Sequence, residues 1–281
     1  MLPNLRTYHR PTTLEEAIQL VQPPRAVPLG GGTHLIPSGD LTVEAVVDLS
    51  HLGLSYIRPG ETGISIGATT TLQQLLESDA LTERTGNTVG EVLRLTTSRN
   101  LRGQATVGGT VAAGKAENPL LVLLLALNAS VTVWAPQEQR MPLDTFLGER
   151  DAILRQGAII TELLLPHPTA PYGVGFAPVG RTPRDRPIVC VAASVTVEND
   201  RCREVFLALG GVAERAVRAP WAEEVLRGQF PTPENIQEAA ARVPEKLTPP
   251  TDFRGSSEYR RAMAAVLAHR ALNRAVDSIR G

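Results

Sequence analysis

Ala26-Val-Pro-Leu29 runs directly into Gly30-Gly31-Gly32-Thr33-His34-Leu35-Ile36-Pro37, a short apolar strand stopped by three glycines. Residues without Cβ atoms let consecutive backbone N–H groups converge on one point, which a concave nest around a phosphate or diphosphate requires. A lone glycine triplet fits an ordinary tight turn better, by roughly two to one. The loop does not open a long helix as GxGxxG does, and no GxxxxGK[ST] occurs, so the two common nucleotide-binding signatures are missing.

Upstream, Thr13 and Glu16 stand in capping-box register and predict a first helix in Pro11 to Val21. Downstream, Ala45-Val-Val-Asp48-Leu49 reads as a second strand, completing a small α/β unit over residues 1–56. The pattern restarts near Ile57. Gly63 to Ala68 alternates like a strand, and Thr70 and Gln73 again have capping-box spacing. A helix around Val89 to Leu95 follows, then a second glycine stretch, Thr106-Val107-Gly108-Gly109-Thr110. An apolar helix, Pro119 to Leu127, and the strand Ser130 to Trp134 complete a central α+β unit over 57–168.

After the proline-rich Pro166 to Tyr172, strand-like segments at Val174 to Val179, Ile188 to Val197 and Val205 to Leu209 predict a short antiparallel sheet. Helices are expected at Pro220 to Leu226, at Pro233 to Arg242 and from about Ser257, making a third unit of 169–281. In the last helix, Tyr259, Met263, Val266 and Leu267 form an apolar stripe at helical spacing.

The composition narrows the function classes. A net charge of -1 and 4% aromatic residues supply neither the basic face nor the stacking platforms that nucleic-acid binding needs. No apolar run is long enough to span a bilayer and the first residues have no signal-peptide core, so a cytoplasmic protein is expected. Cys190 and Cys202 form no CxxC pair, and both read as small buried hydrophobes. The five histidines make no spaced metal set, and no Ser-His-Asp order can be drawn, so no metal ligand and no catalytic residue is assigned.

Two glycine loops in separate units could grip one dinucleotide between them. The first, Gly30 to Pro37, resembles the AGGT-D-L-L-P loop, and Arg102-Gly-Gln-Ala-Thr106-Val-Gly108-Gly109-Thr110 the R-N-x-A-T-I-G-G-N loop, of the FAD-binding subunits of molybdenum hydroxylases. That is the xanthine dehydrogenase and carbon monoxide dehydrogenase family. The similarity extends to Gly67-Ala68-Thr69-Thr70, to Val179-Gly180-Arg181-Thr-Pro-Arg-Asp185, to Val217-Arg218-Ala219-Pro220 and to Asp252-Phe-Arg254-Gly255-Ser-Ser-Glu-Tyr259-Arg-Arg261. Each piece is common; the ordered set, spanning nearly the whole chain, is specific.

The resemblance implies a two-part FAD-binding domain of the vanillyl-alcohol-oxidase-like (PCMH) type, followed by a C-terminal domain with a small antiparallel sheet and helices. It implies noncovalent FAD, its diphosphate cradled by the backbone around Gly30, Gly31, Gly32, Thr33 and His34 and around Thr106, Gly108, Gly109 and Thr110, with the Thr33 and Thr106 hydroxyls as partners. His34 replaces the usual Asp of the first loop and Thr110 the usual Asn of the second. The family's A-S-P-x-x-D reads Gly114-Lys-Ala-Glu117-Asn118-Pro119, where Glu117 or Asn118 substitutes for the flavin-holding Asp. Asp185 is read as a turn residue rather than a flavin contact. The implied partners are a large molybdenum-cofactor subunit and a small subunit with two [2Fe-2S] clusters, in a dimer of heterotrimers. Electrons would pass from those clusters through FAD to NAD, a quinone or oxygen. The alternative is a family member that keeps the fold without FAD and serves as a structural or assembly subunit.

Overall fold

The computed structural model describes residues 2–22, 25–135, 137–182 and 185–280. The chain forms two compact units, Met1–Ser78 with Thr97–Ala113 and Ala129–Leu165, and Asp79–Thr96 with Gly114–Asn128 and Pro166–Gly281. Neither is continuous in sequence: 79–96 and 114–128, which lie inside the stretch 57–168, belong by contact to the second unit.

The first unit holds two sheets. β1 (Thr7–His9), β2 (Ala26–Leu29) and β3 (Ala45–Asp48) form a parallel sheet in the order β1-β3-β2, with α1 (Leu14–Val21) and the short α2 (Leu35–Ser38) between strands. Ala17 and Val21 of α1 pack on Val47, Leu49 and Ile159. Thr13 caps α1 as expected, accepting from the Glu16 amide at 3.2 Å, while the Glu16 carboxylate reaches the Thr12 amide rather than that of Thr13. The second sheet has the order β4-β5-β8-β6-β7, with β4 (Ile57–Gly60), β5 (Gly63–Gly67), β6 (Ser130–Trp134), β7 (Glu138–Pro142) and β8 (Ile159–Pro166). Helices α3 (Leu72–Leu76), α6 (Arg99–Arg102), α7 (Val107–Ala113) and α9 (Leu143–Arg155) complete the unit.

The capping box expected at Thr70 and Gln73 lies one residue later, at Thr71 and Gln74. Thr70 cannot cap α3, because its hydroxyl accepts from the Tyr56 amide at 3.0 Å and donates to the Tyr56 carbonyl at 2.9 Å. A neighbouring strand edge has taken the hydroxyl that the local pattern assigned to the helix.

In the second unit, α4 (Asp79–Thr85), α5 (Thr88–Thr96) and α8 (Pro119–Ala126) join an antiparallel sheet in the order β12-β11-β10-β9. Its strands are β9 (Tyr172–Val179), β10 (Val189–Glu198), β11 (Arg201–Gly210) and β12 (Val217–Arg218). α8 is buried all round, so it needs apolar neighbours on every side. β10 and β11 cover it on one side and α5 on another, which places it in this unit. α10 (Pro220–Leu226), α11 (Pro233–Arg242) and α12 (Ser257–Arg280) follow.

The stripe expected on α12 is only half right. Leu267 is buried, but Tyr259 and Val266 are exposed, and the helix turns Ala264, Ala268, Ala271 and Ala275 inward. Small residues win because helix and sheet approach closely. A Cβ on Gly173 or Gly175 of β9 would overlap the carbonyl oxygen of Ala275 or Ala271.

Candidate functional site

The first glycine loop leaves the C-terminal end of β2, and Leu29 pairs with Asp48 at the end of β3. Asp48 is buried and accepts from the Tyr8 hydroxyl at 2.6 Å and the Ser50 amide at 2.9 Å. Burial works to raise its pKa, but the bonds from Tyr8 and Ser50, with Arg10 nearby, hold the carboxyl below its ordinary value. Gly32 has φ +67° and its carbonyl accepts from the Ile36 amide at 3.0 Å, which turns the chain into α2.

What the loop leaves open is its donors. Among the described residues, the amides of Gly30, Gly31, Gly32 and Thr33 have no hydrogen-bond acceptor. They are half-buried, so four consecutive N–H groups await an acceptor from outside the chain.

The second loop is pressed against the first. A Cβ on Gly31 would overlap the Gln104 carbonyl oxygen, and one on Gly30 would lie 2.7 Å from the Thr106 Oγ1. Yet the amides from Val107 to Thr110 are spent. The Val107 amide donates to the Thr70 carbonyl at 2.9 Å, Gly108 to Ala68 at 2.9 Å and Thr110 to Thr106 at 2.9 Å. The Gly109 amide donates to the Thr106 hydroxyl oxygen at 3.1 Å, and the Thr110 hydroxyl donates to the Thr106 carbonyl at 2.9 Å. Thr106 keeps two donors without an acceptor among the described residues, its amide and its hydroxyl proton. Gly108 is required here for packing, since a Cβ would lie 2.7 Å from the Ala68 Cβ and 2.8 Å from its oxygen.

The supporting wall is also polar. Gly67 approaches the Tyr56 ring, whose hydroxyl donates to Glu162 at 3.0 Å. Burial, then the bond to Glu162, pushes that phenol up to about 12, so Tyr56 remains a neutral donor near pH 7. The hydroxyl of Thr69 is buried without a partner among the described residues.

Nine of the ten expected site residues thus lie in the first unit, where the two loops interlock. Asn118 lies in the second, where its Oδ1 caps α8, accepting from the amides of Leu120 at 2.9 Å and Leu121 at 3.4 Å. Glu117, in the same unit, pairs with Arg254 at 3.5 Å. Asp185 pairs with Arg181 at 3.4 Å; Pro183 and Arg184 of that segment lie outside the described residues. Cys190 and Cys202 are buried, and burial raises the Cys202 thiol to about 11, so neither is an activated nucleophile. No group of three potential ligands could hold a metal ion among the described residues, and no helix there is long and apolar enough to cross a membrane.

The family described as FAD binding domain in molybdopterin dehydrogenase matches residues 3–168, more than half of the chain. The chain belongs to that family. The CO dehydrogenase flavoprotein C-terminal domain matches residues 176–275, so flavoprotein domains cover both ends of the fold. The chain is 30% identical to the carbon monoxide dehydrogenase medium chain of Afipia carboxidovorans, over 98% of each protein. It is 28% identical to the glyceraldehyde dehydrogenase medium chain of Sulfolobus acidocaldarius, over 96% of this chain and 98% of that one. Among solved structures it resembles carbon monoxide dehydrogenase from Hydrogenophaga pseudoflava with a TM-score of 0.90 and 28% identity, over 99% of both chains. The FAD-binding fold expected from the sequence, with an antiparallel sheet in the C-terminal part, is therefore the fold of this flavoprotein family.

Proposed function

We propose that this chain is the FAD-carrying, electron-transferring subunit of a molybdenum hydroxylase. One observation carries the proposal: four consecutive amides, from Gly30 to Thr33, stand without an acceptor among the described residues, beside a loop whose amides from Val107 to Thr110 are already bonded. A diphosphate fits such a nest, because amide dipoles offset its charge without a lysine and glycine permits close approach. The Thr106 hydroxyl can add one donor from the second loop. The His34 side chain at the loop's exposed end is a further candidate partner.

FAD would supply the electron chemistry, accepting electrons singly and delivering them in pairs. The chain's residues would bind and orient it: the first loop holds the diphosphate, the second buttresses the first, and no side chain need move a proton. Molybdenum cofactor and [2Fe-2S] clusters would reside on a large and a small partner subunit, in keeping with medium-chain relatives and with the missing metal-ligand motifs. Electrons from those clusters would leave to NAD, a quinone or oxygen. A dimer of heterotrimers in the cytoplasm is the assembly that this reading favours.

The test is to incubate the purified chain with excess FAD, desalt it, and release and identify the bound chromophore with acid. About one FAD per chain is expected. A folded protein that stays colourless overturns the proposal.

A further inference from the structure

Among the described residues of the first unit, two charged side chains are buried, and they differ in what neutralises them. Asp48, beside the first glycine loop, has the Tyr8 hydroxyl at 2.6 Å and the Arg10 guanidinium at 3.6 Å. Arg102 ends α6 and opens the second loop, and it is 8% exposed. Its partners are neutral: Nε donates to Gln73 Oε1 at 3.3 Å and Nη1 to the Thr97 carbonyl at 3.0 Å. No carboxylate lies in ion-pair range of Arg102 among the described residues. Glu77 is reached only through Gln73, whose Nε2 donates to that exposed carboxylate at 2.6 Å.

A guanidinium taken out of water costs free energy unless an anion offsets it. Two neutral acceptors orient the group but leave its net charge in place, and a buried charge is screened by salt far less than a surface one. The nest lies within its field. Arg102 and Gln104 are at most about 7 Å apart along the chain, and the Gln104 carbonyl packs so closely on Gly31 that a Cβ there would overlap its oxygen. The cation therefore stands within roughly 15 Å of the four open amides. At an effective dielectric of about 20, one elementary charge at that distance changes the affinity for each ligand charge about sixfold.

We propose that Arg102 is the buried countercharge of the nest: through its field rather than by contact, it favours a flavin that carries a diphosphate over the same flavin without one. The proposal rests on the reading of Gly30 to Thr33 as a FAD cradle and assigns the origin of that cradle's charge preference. The open amides set where the phosphate oxygens sit, and Arg102 offsets their charge. The ligand in turn supplies the anion that the guanidinium lacks.

The test measures binding of FAD, riboflavin and inorganic pyrophosphate to the purified chain, by flavin fluorescence and by competition, with a thermal melt of each variant. Arg102→Gln, which removes the charge, is expected to weaken FAD and pyrophosphate at least about tenfold and riboflavin by less than about twofold. Arg102→Lys keeps the charge and should hold FAD within about threefold of wild type. Arg99→Gln, on the same helix but with its charge in water, should change none of the three. Equal losses of FAD and riboflavin in Arg102→Gln would reduce Arg102 to a structural support and overturn the proposal. So would a folded Arg102→Lys protein that loses FAD by about tenfold, a result that decides the matter even where Arg102→Gln does not fold. A wild-type chain that binds pyrophosphate in an Arg102-dependent way but refuses FAD would keep the countercharge and remove the flavin reading alone.

Discussion

The two glycine loops look alike in sequence and solve opposite problems. In Gly30 to Thr33 the backbone is bent so that four amides have no acceptor among the described residues, whereas in Val107 to Thr110 every amide is already bonded. Glycine is needed for close packing in both, against Gln104 and Thr106 in the first and against Ala68 in the second, but only the first keeps its amides open. Two closely packed loops can therefore share the work of binding. One supplies unspent polarity, and the other spends its own to hold the first in place.

The sharpest way to break this comparison is Gly31→Ala. The new Cβ would overlap the backbone oxygen of Gln104, which no side-chain rotation can relieve. A loss of about 3 kcal/mol in stability is expected from overpacking. FAD affinity should fall at least a hundredfold in the protein that remains folded, measured by titration beside a thermal melt. An affinity within twofold of wild type would remove the open amides from the cradle.

Gly108→Val probes the other loop. Its clash with Ala68 should cost about 2 kcal/mol and abolish flavin retention by displacing α7 and, through it, the first loop. Normal flavin content in the folded variant would refute the buttressing role. A stabilised background that restores folding should also restore FAD, which distinguishes this loop from the first.

The smallest effect is set by pH. Asp48 is held below its ordinary pKa in the folded chain, so it binds fewer protons than in the unfolded one. Its stabilising contribution is full above about pH 4 and is lost as pH falls through the depressed folded value. Asp48→Asn should cost about 1 kcal/mol at pH 7 and flatten the acid limb of a stability profile. The acceptors of the second loop are the carbonyls of Ala68, Thr70 and Thr106 and the Thr106 hydroxyl, none of which titrates there. Acid should therefore loosen FAD before it loosens α7, as read by flavin release against far-UV signal. Simultaneous loss would erase the distinction between the loops.

The sequence by itself determined the family and most of the elements. Ordered motifs from Gly30 to Arg261 carry the family, and the apolar run after Pro119 reads as the helix that the structure places at Pro119–Ala126. Local periodicity and capping chemistry survive folding when nothing distant competes for the same atoms, as at Thr13, which caps α1. Distant competition is what only the tertiary structure decided. Thr70 surrendered its cap to Tyr56, α12 presented alanines because glycines in β9 let the helix sink, and 79–96 and 114–128 joined the second unit. The open and closed amides were settled in the same way. The carbonyls that quench Val107 and Gly108 come from Thr70 and Ala68 in another segment, and no reading of the loop alone can count hydrogen bonds to atoms so far along the chain.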